Sequence, residues 1–372
     1  MYKPRINVVQ IDEKMTISAF AFRDNLEKFM FATQQKCQKL RPSKIRGSLR
    51  DRRRRLAIIQ QLFSNYIYDL HRFWNGSSVN GKINTQIQLR ALITMDYHRI
   101  EKGLALKEPK IRFGSKVIER LLSNLSKYQE VYGLDETGQV ALNTLSAYLD
   151  FNQKNGINDE QIQEKINKIR EKTPQIEDVN HQGGVIEVRR QQILKNAQLN
   201  LQSFFESRYS IRQFTLDEVE MSVIEKAVAM AQKTPSVCNR QSSKVYVFSK
   251  DEDKQKVLTY QNGNRGFGNQ ASKILIVTSE LEHFVSIGER NQCWIDGGMY
   301  AMSLVYALHS LGIGTCCLNW SVESQVDKAL KEAVQIKDSE SVIMMIAVGH
   351  LPDQLKVAQS PRKKVDEVLV VK

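Results

Sequence analysis

The chain has 372 residues, of which 41% are hydrophobic and 26% charged, with a mean hydropathy of −0.40. At ~150 residues per domain this suits about two domains with sizeable cores, and no run approaches the ~20 apolar residues of a membrane span. The net charge of +13 sits entirely in residues 1–200, which hold 34 Lys/Arg against 21 Asp/Glu, while residues 201–372 hold 20 of each. This asymmetry argues against a uniformly basic nucleic-acid protein and for two units with different tasks.

Met1–Lys14 has charges but no apolar h-region, so no secretory signal is expected. A helical pattern over 17–40 is followed by a basic run, Lys39 to Arg55, with Asp51 its one acid. Leu56, Ile59, Phe63, Ile67 and Leu70 then recur at helical spacing. Further helices are expected at 84–100, 115–132, 138–153, 159–172 and about 185–206, punctuated by Gly133, Gly156, Pro174 and Gly183-Gly184. The first half, residues 1–200, therefore reads as a basic, mostly α-helical domain.

Residues 201–372 alternate between helix and strand patterns. Thr215 and Glu218 have capping-box spacing before a helix at 216–232, and Ser249 and Glu252 have it before the next. Strand patterns occupy Lys244–Ser249, Lys273–Thr278, Thr315–Leu318 and Val342–Val348, the fourth apolar enough to be central, and Val365–Val371 is a last strand or arm. Helices are expected at Asp296–Leu311 and Ser321–Val334. The fold class is α+β, a mixed sheet flanked by helices.

The five cysteines, Cys37, Cys238, Cys293, Cys316 and Cys317, are odd in number and contain no CxxC pair. This disfavours a disulfide framework or a cysteine metal site and suits a reducing cytoplasm. No convincing His/Asp/Ser or Cys/His set is present. His98 and Glu101 could share a helix face as a ligand or acid/base pair, or serve as a buried polar contact.

Three segments carry candidate chemistry. In an extended Ser207–Phe214, Arg208, Ser210 and Arg212 share a face, and two guanidiniums with a hydroxyl suit a phosphate or polyol. Thr234–Gln241 is an irregular loop in which Ser236, Asn239 and Gln241 offer polar groups to a ring edge. Arg362 and Lys364 could add two cations to the same phosphate. Taken singly, each segment is equally readable as charged surface, ordinary connection or basic tail.

Taken in order, these segments resemble the nitroreductase family of flavin enzymes. The matching residues are Arg208-x-Ser210-x-Arg212-x-Phe214, the loop Thr234–Gln241, the turn Leu311-Gly-Ile-Gly-Thr-Cys316, the segment Gly349-His-Leu-Pro352, and Arg362 with Lys364. The resemblance implies FMN bound at the interface of a homodimer, with groups from different subunits around one flavin. Arg208, Ser210, Arg212, Arg362 and Lys364 would hold the phosphate and ribityl chain. Pro235, Ser236 and Asn239 would lie along the ring, and Leu318, Asn319 and Trp320 would present backbone near N5.

The implied chemistry is ping-pong hydride transfer from NAD(P)H through the flavin to an unknown small-molecule acceptor, with no catalytic side chain required. Ser242-Ser243, the Tyr260–Gln270 loop and Asn319-Trp320 depart from common members, so the substrate class stays open. The segment from Tyr97 to Gly114 is similar to nitroreductase-like proteins with a helical N-terminal extension from bacterial surface-polysaccharide gene sets. Two alternatives remain: a dimeric adaptor whose basic half binds an anionic surface, glycan or partner, and a specialised flavin dehydrogenase in a polysaccharide or other biosynthetic pathway.

Overall fold

The computed structural model describes residues 42–171, 182–196, 199–358, 360 and 362–372. Residues up to Tyr66 form one compact unit and Ile67–Lys372 a second. The first unit is described only as part of helix α1, Pro42–Gly76. Its exposed residues include Arg53, Arg54, Arg55 and Ile59. The expected helix at 17–40, together with Lys39 and Arg41, lies outside the described residues.

In the second unit, α2 (Gln86–Leu104), α3 (Ser115–Tyr132), α4 (Glu136–Lys154) and α5 (Glu160–Arg170) form a helical layer. Apolar residues three or four apart build its core: Leu89, Ile93, Tyr97 and Ile100 of α2 meet Leu121 and Leu125 of α3 and Leu142 and Leu145 of α4. The helix α2 opens with a capping box, Thr85 and Gln88 exchanging side-chain and backbone hydrogen bonds. Asp96, wholly buried, accepts hydrogen bonds from Arg120 at 2.7 and 2.5 Å. Gly103 is needed because a Cβ there would lie 2.2 Å from Phe113. The expected 185–206 helix is instead two short pieces, α6 (Arg190–Asn196) and α7 (Leu201–Glu206). The Asn200 side chain caps the second by accepting from Ser203 N–H.

The remainder is α+β. Strands β1 (Ser243–Phe248), β2 (Lys273–Glu280), β3 (Ile313–Asn319) and β4 (Glu340–His350) form a sheet in the order β1-β2-β4-β3. All three pairings are antiparallel. The sheet is therefore not mixed among the described residues. Of the two expectations for Val365–Val371, strand or arm, the strand does not form: the segment is a 3-10 turn over Val365–Glu367 followed by exposed chain, so it adds no ladder. Period-two alternation sends Leu275, Val277, Ile346 and Val348 to one face, against α8 (Met221–Ala231) and α10 (Gln292–Ser310). Ile274, Ile276, Met345 and Ala347 face α9 (Asp251–Leu258) and α11 (Ser324–Val334).

Neither expected capping box forms in this half. Thr215 Oγ1 bonds Asp217, and Glu218 is drawn away to the buried Lys273 ammonium at 2.8 Å. Ser249 Oγ accepts from the same ammonium at 3.2 Å, which leaves both helices to start later than expected. The end of α1 is tied to the sheet by Arg72, which donates to the carbonyls of Asp338 and Glu340 at 2.7 Å each. Ser78 N–H donates to the Phe284 carbonyl at 3.0 Å, and Thr85 Oγ1 donates to Glu282.

Candidate flavin site

The arginine segment lies where it does because of two glycines. Gly314 of β3 and Gly349 of β4 are cross-strand partners. A Cβ on Gly314 would meet Ile211 at 3.1 Å, and one on Gly349 would meet Phe214 at 2.7 Å. The missing side chains leave a flat patch over which residues 211–214 pass in close contact. Ile211 N–H donates to the Thr315 carbonyl at 2.8 Å and Thr215 N–H to the His350 carbonyl at 3.1 Å, fixing both ends. Ile211 and Phe214 turn inward and are buried.

Arg208, Ser210 and Arg212 are left on the other face, where they line a cavity of about 570 Å³ with Tyr306 and Arg362. The cavity thus gathers cations from two segments about 150 residues apart in the chain. Arg212 donates to the Ser210 carbonyl at 3.5 Å and its guanidinium carbon is 5.9 Å from the Phe267 ring centre. Arg362 donates to the Ser360 carbonyl. Among the described residues none of these three guanidiniums has a carboxylate partner. Such a set fits a phosphate dianion, which guanidiniums meet with charge-assisted hydrogen bonds. Lys364 is exposed and outside this cavity, its backbone N–H donating to Glu367 at 3.2 Å.

The cysteines on β3 lie beside these cations. Burial pushes the Cys316 thiol up, with Arg212 offsetting part of that push; Cys317 shifts the same way and Arg208 opposes it, although the residue is exposed on β3. Both therefore stay protonated at neutral pH, which favours packing over thiolate chemistry.

Pro235 and Ser236 line a different cavity, of about 540 Å³, bounded by α8, β1 and Tyr300. Their loop is preformed: Val237 N–H donates to Asp296 Oδ2 at 3.0 Å, and Gln241 N–H to Ser236 Oγ at 2.9 Å. Cys238, Asn239 and Gln241 all have left-handed backbone, φ 49°, 54° and 49°, a strain concentrated in three of four residues. Arg240, 3% exposed, holds the turn by donating to Glu289 at 2.6 Å and to the His283 carbonyl at 2.7 Å. Asp296 and Arg240 were not legible as site residues. The one signal was a lone carboxylate near the start of an otherwise apolar helix.

At the end of β3, Leu318 is buried and Asn319 exposed, and the Asn319 carbonyl accepts from Gln261 at 3.2 Å. Trp320 is half-buried, its indole N–H donating to Asp327 at 2.8 Å. Asn264 spends its amide within its own loop, donating to the Leu258 carbonyl at 2.9 Å. His98 Nδ1 is 3.0 Å from Glu101, with no third metal-ligating group beside them among the described residues.

Residues 205–263 and 253–350 match the family model described as the nitroreductase family. No curated protein matches the chain. Among solved structures, the chain is similar to a nitroreductase family protein from Streptococcus pneumoniae TIGR4. The identity is 19%, covering 46% of this chain and 100% of that one, with a TM-score of 0.41. It is also similar to an FMN-dependent nitroreductase from Clostridium difficile R20291. The identity there is 22%, covering 42% of this chain and 91% of that one, with a TM-score of 0.37. Among the described residues no helix is long and apolar enough to cross a membrane. Over residues 205–350, the part of the chain that carries the sheet is similar to the nitroreductase family.

Proposed function

We propose that the chain is an FMN-dependent NAD(P)H oxidoreductase whose flavin is held by residues 201–372. The observation that carries this reading is the convergence of Arg208, Ser210, Arg212 and Arg362 on one cavity without carboxylate partners among the described residues. The phosphate would sit among these guanidiniums. By the sequence resemblance the ring would lie by Leu318–Trp320, at the end of β3. When bound, FMN would supply hydride chemistry, taken up from a reduced nicotinamide and passed to a second substrate. The protein's own part is to hold the phosphate, fix the ring and limit water, which requires no acid or base side chain.

A homodimer follows from the same reading. Pro235 and Ser236 line a cavity separate from the arginines, so a ring reaching both would need a second protomer. Supporting this, α10 exposes Trp294, Ile295 and Met299, and the C-terminal residues Val368–Val371 are all exposed. A cytoplasmic, soluble enzyme acting on a small-molecule acceptor is the consequent proposal, and a role in polysaccharide biosynthesis rests on the sequence resemblance alone. The test is NADH or NADPH oxidation with a quinone acceptor by FMN-loaded protein. Flavin reduction by either nicotinamide supports the reading. Bound FMN that neither reduces points to the specialised dehydrogenase, and absence of binding points to the adaptor.

A further inference from the structure

We propose that Tyr68 and Asp327 are positioning residues for Trp320, so that the end of α1 sets one wall of the flavin site. The inference rests on the flavin reading above for its functional half and on side-chain geometry for the rest. Asp327, on α11, is 8% exposed and both its carboxylate oxygens are engaged. Oδ1 accepts from the Trp320 indole at 2.8 Å. Oδ2 accepts from the Tyr68 hydroxyl at 2.7 Å and pairs with the Lys331 ammonium at 2.7 Å. A half-buried indole N–H has few ways to be satisfied, so this acceptor dictates where the ring stands.

Tyr68 in turn is not free to wander. Arg72 lies 5.1 Å and Lys328 4.8 Å from its ring centre, and Arg72 is itself fixed by the backbone at the start of β4. Burial and the neighbouring carboxylate push the Tyr68 hydroxyl far above its ordinary range, which makes it a donor at all working pH values. Burial alone would raise Asp327, but Lys331 and the three hydrogen bonds outweigh it and hold the carboxyl low, so the acceptor stays charged. The path from α1 through α11 to the end of β3 is therefore continuous, hydrogen-bonded and short. Residue 319 is pinned from the other side by Gln261, so the strand end is held from outside the sheet at two consecutive residues.

A wall set this way governs what fits against the ring, not the electron-accepting step itself. Two measurements test it. In FMN-free protein carrying Trp74→Phe and Trp294→Phe, Trp320 is the remaining tryptophan, and adding Tyr68→Phe should change its emission and raise its acrylamide quenching. In loaded protein, Tyr68→Phe should raise the acceptor KM on the order of three- to tenfold with kcat and nicotinamide-driven reduction nearly unchanged. Trp320→Phe, which removes the N–H and keeps a ring, should raise the acceptor KM at least as much, and the double variant should be no worse than Trp320→Phe alone. Unchanged Trp320 emission and quenching in Tyr68→Phe overturns the relay. Additive KM effects overturn the claim that Tyr68 acts through Trp320. Wild-type protein that takes up no FMN overturns the flavin reading and the functional half with it, an outcome the fluorescence result distinguishes from failure of the relay.

Discussion

Gly349→Ala puts the fold and the candidate site to one test. The added methyl would stand 2.7, 2.8 and 3.0 Å from Phe214 Cδ1, Cγ and Cβ, where carbon atoms prefer ~3.5–4.0 Å. Phe214 is buried among Ile211, Phe267 and Met345, so its ring cannot swing into solvent and the backbone must give. Overpacking of this kind costs ~1–3 kcal/mol, which at ~2–4 °C per kcal/mol in larger domains lowers Tm by several degrees. Because Phe214 ends the segment that carries Ser210 and Arg212, the same displacement should weaken FMN binding, on the order of tenfold for a shift near 1 Å. Thermal melts and flavin-fluorescence titration read the two effects. A Gly349→Ala protein that melts and binds FMN like wild type would refute the argument that the paired glycines seat the arginine segment.

Other expectations follow from buried charge. Asp96→Asn removes the carboxylate facing Arg120 and Arg99, whose half-exposed guanidiniums can turn to water, and should cost ~1–3 kcal/mol in denaturant unfolding while leaving flavin stoichiometry unchanged. Burial, with Arg240, Lys244 and Arg90 nearby, lowers His283 from 6.5 to about 4, and its Nδ1 has no hydrogen-bond partner among the described residues. The unfolded chain then binds the extra proton first, so stability is full above pH ~6.5 and falls as pH drops toward 4. His283→Gln should flatten that acid limb in pH-dependent melts, and an unchanged slope would show that His283 is not its source. Arg208→Ala should weaken FMN binding by about tenfold or more, from loss of a charge-assisted contact, in equilibrium titration.

Most helices were legible from their 3.6-residue period, and the central strands from apolar content and length. KILIVT and VIMMIAV are continuous apolar runs, and both are central strands. The helix starts at 216 and 249 misled because Ser/Thr with Glu three residues on is only a local signal. Here Lys273, from a distant strand, competes for Glu218 and Ser249 and wins. Composition left the last segment open between strand and arm for a related reason: Val368–Val371 is rich in β-branched residues, yet a strand needs a neighbour, which the described chain does not offer it. The arginine cluster was legible from period-two spacing, but its cause, the glycine pair, was not, since the register of β3 on β4 is a tertiary fact. The carboxylates Asp296 and Asp327 were invisible for the same reason: their partners lie far away or on another element.

The central claim is that the guanidiniums of Arg208, Arg212 and Arg362 hold a flavin phosphate. Its most direct test is equilibrium titration of purified protein with FMN, run beside riboflavin, which lacks the phosphate, and beside Arg362→Ala. The account predicts saturable FMN binding with flavin visible absorbance, much weaker riboflavin binding, and a loss of FMN affinity of about tenfold or more in the variant. A protein that binds FMN no better than riboflavin, or an Arg362→Ala protein that binds FMN as tightly as wild type, would contradict it.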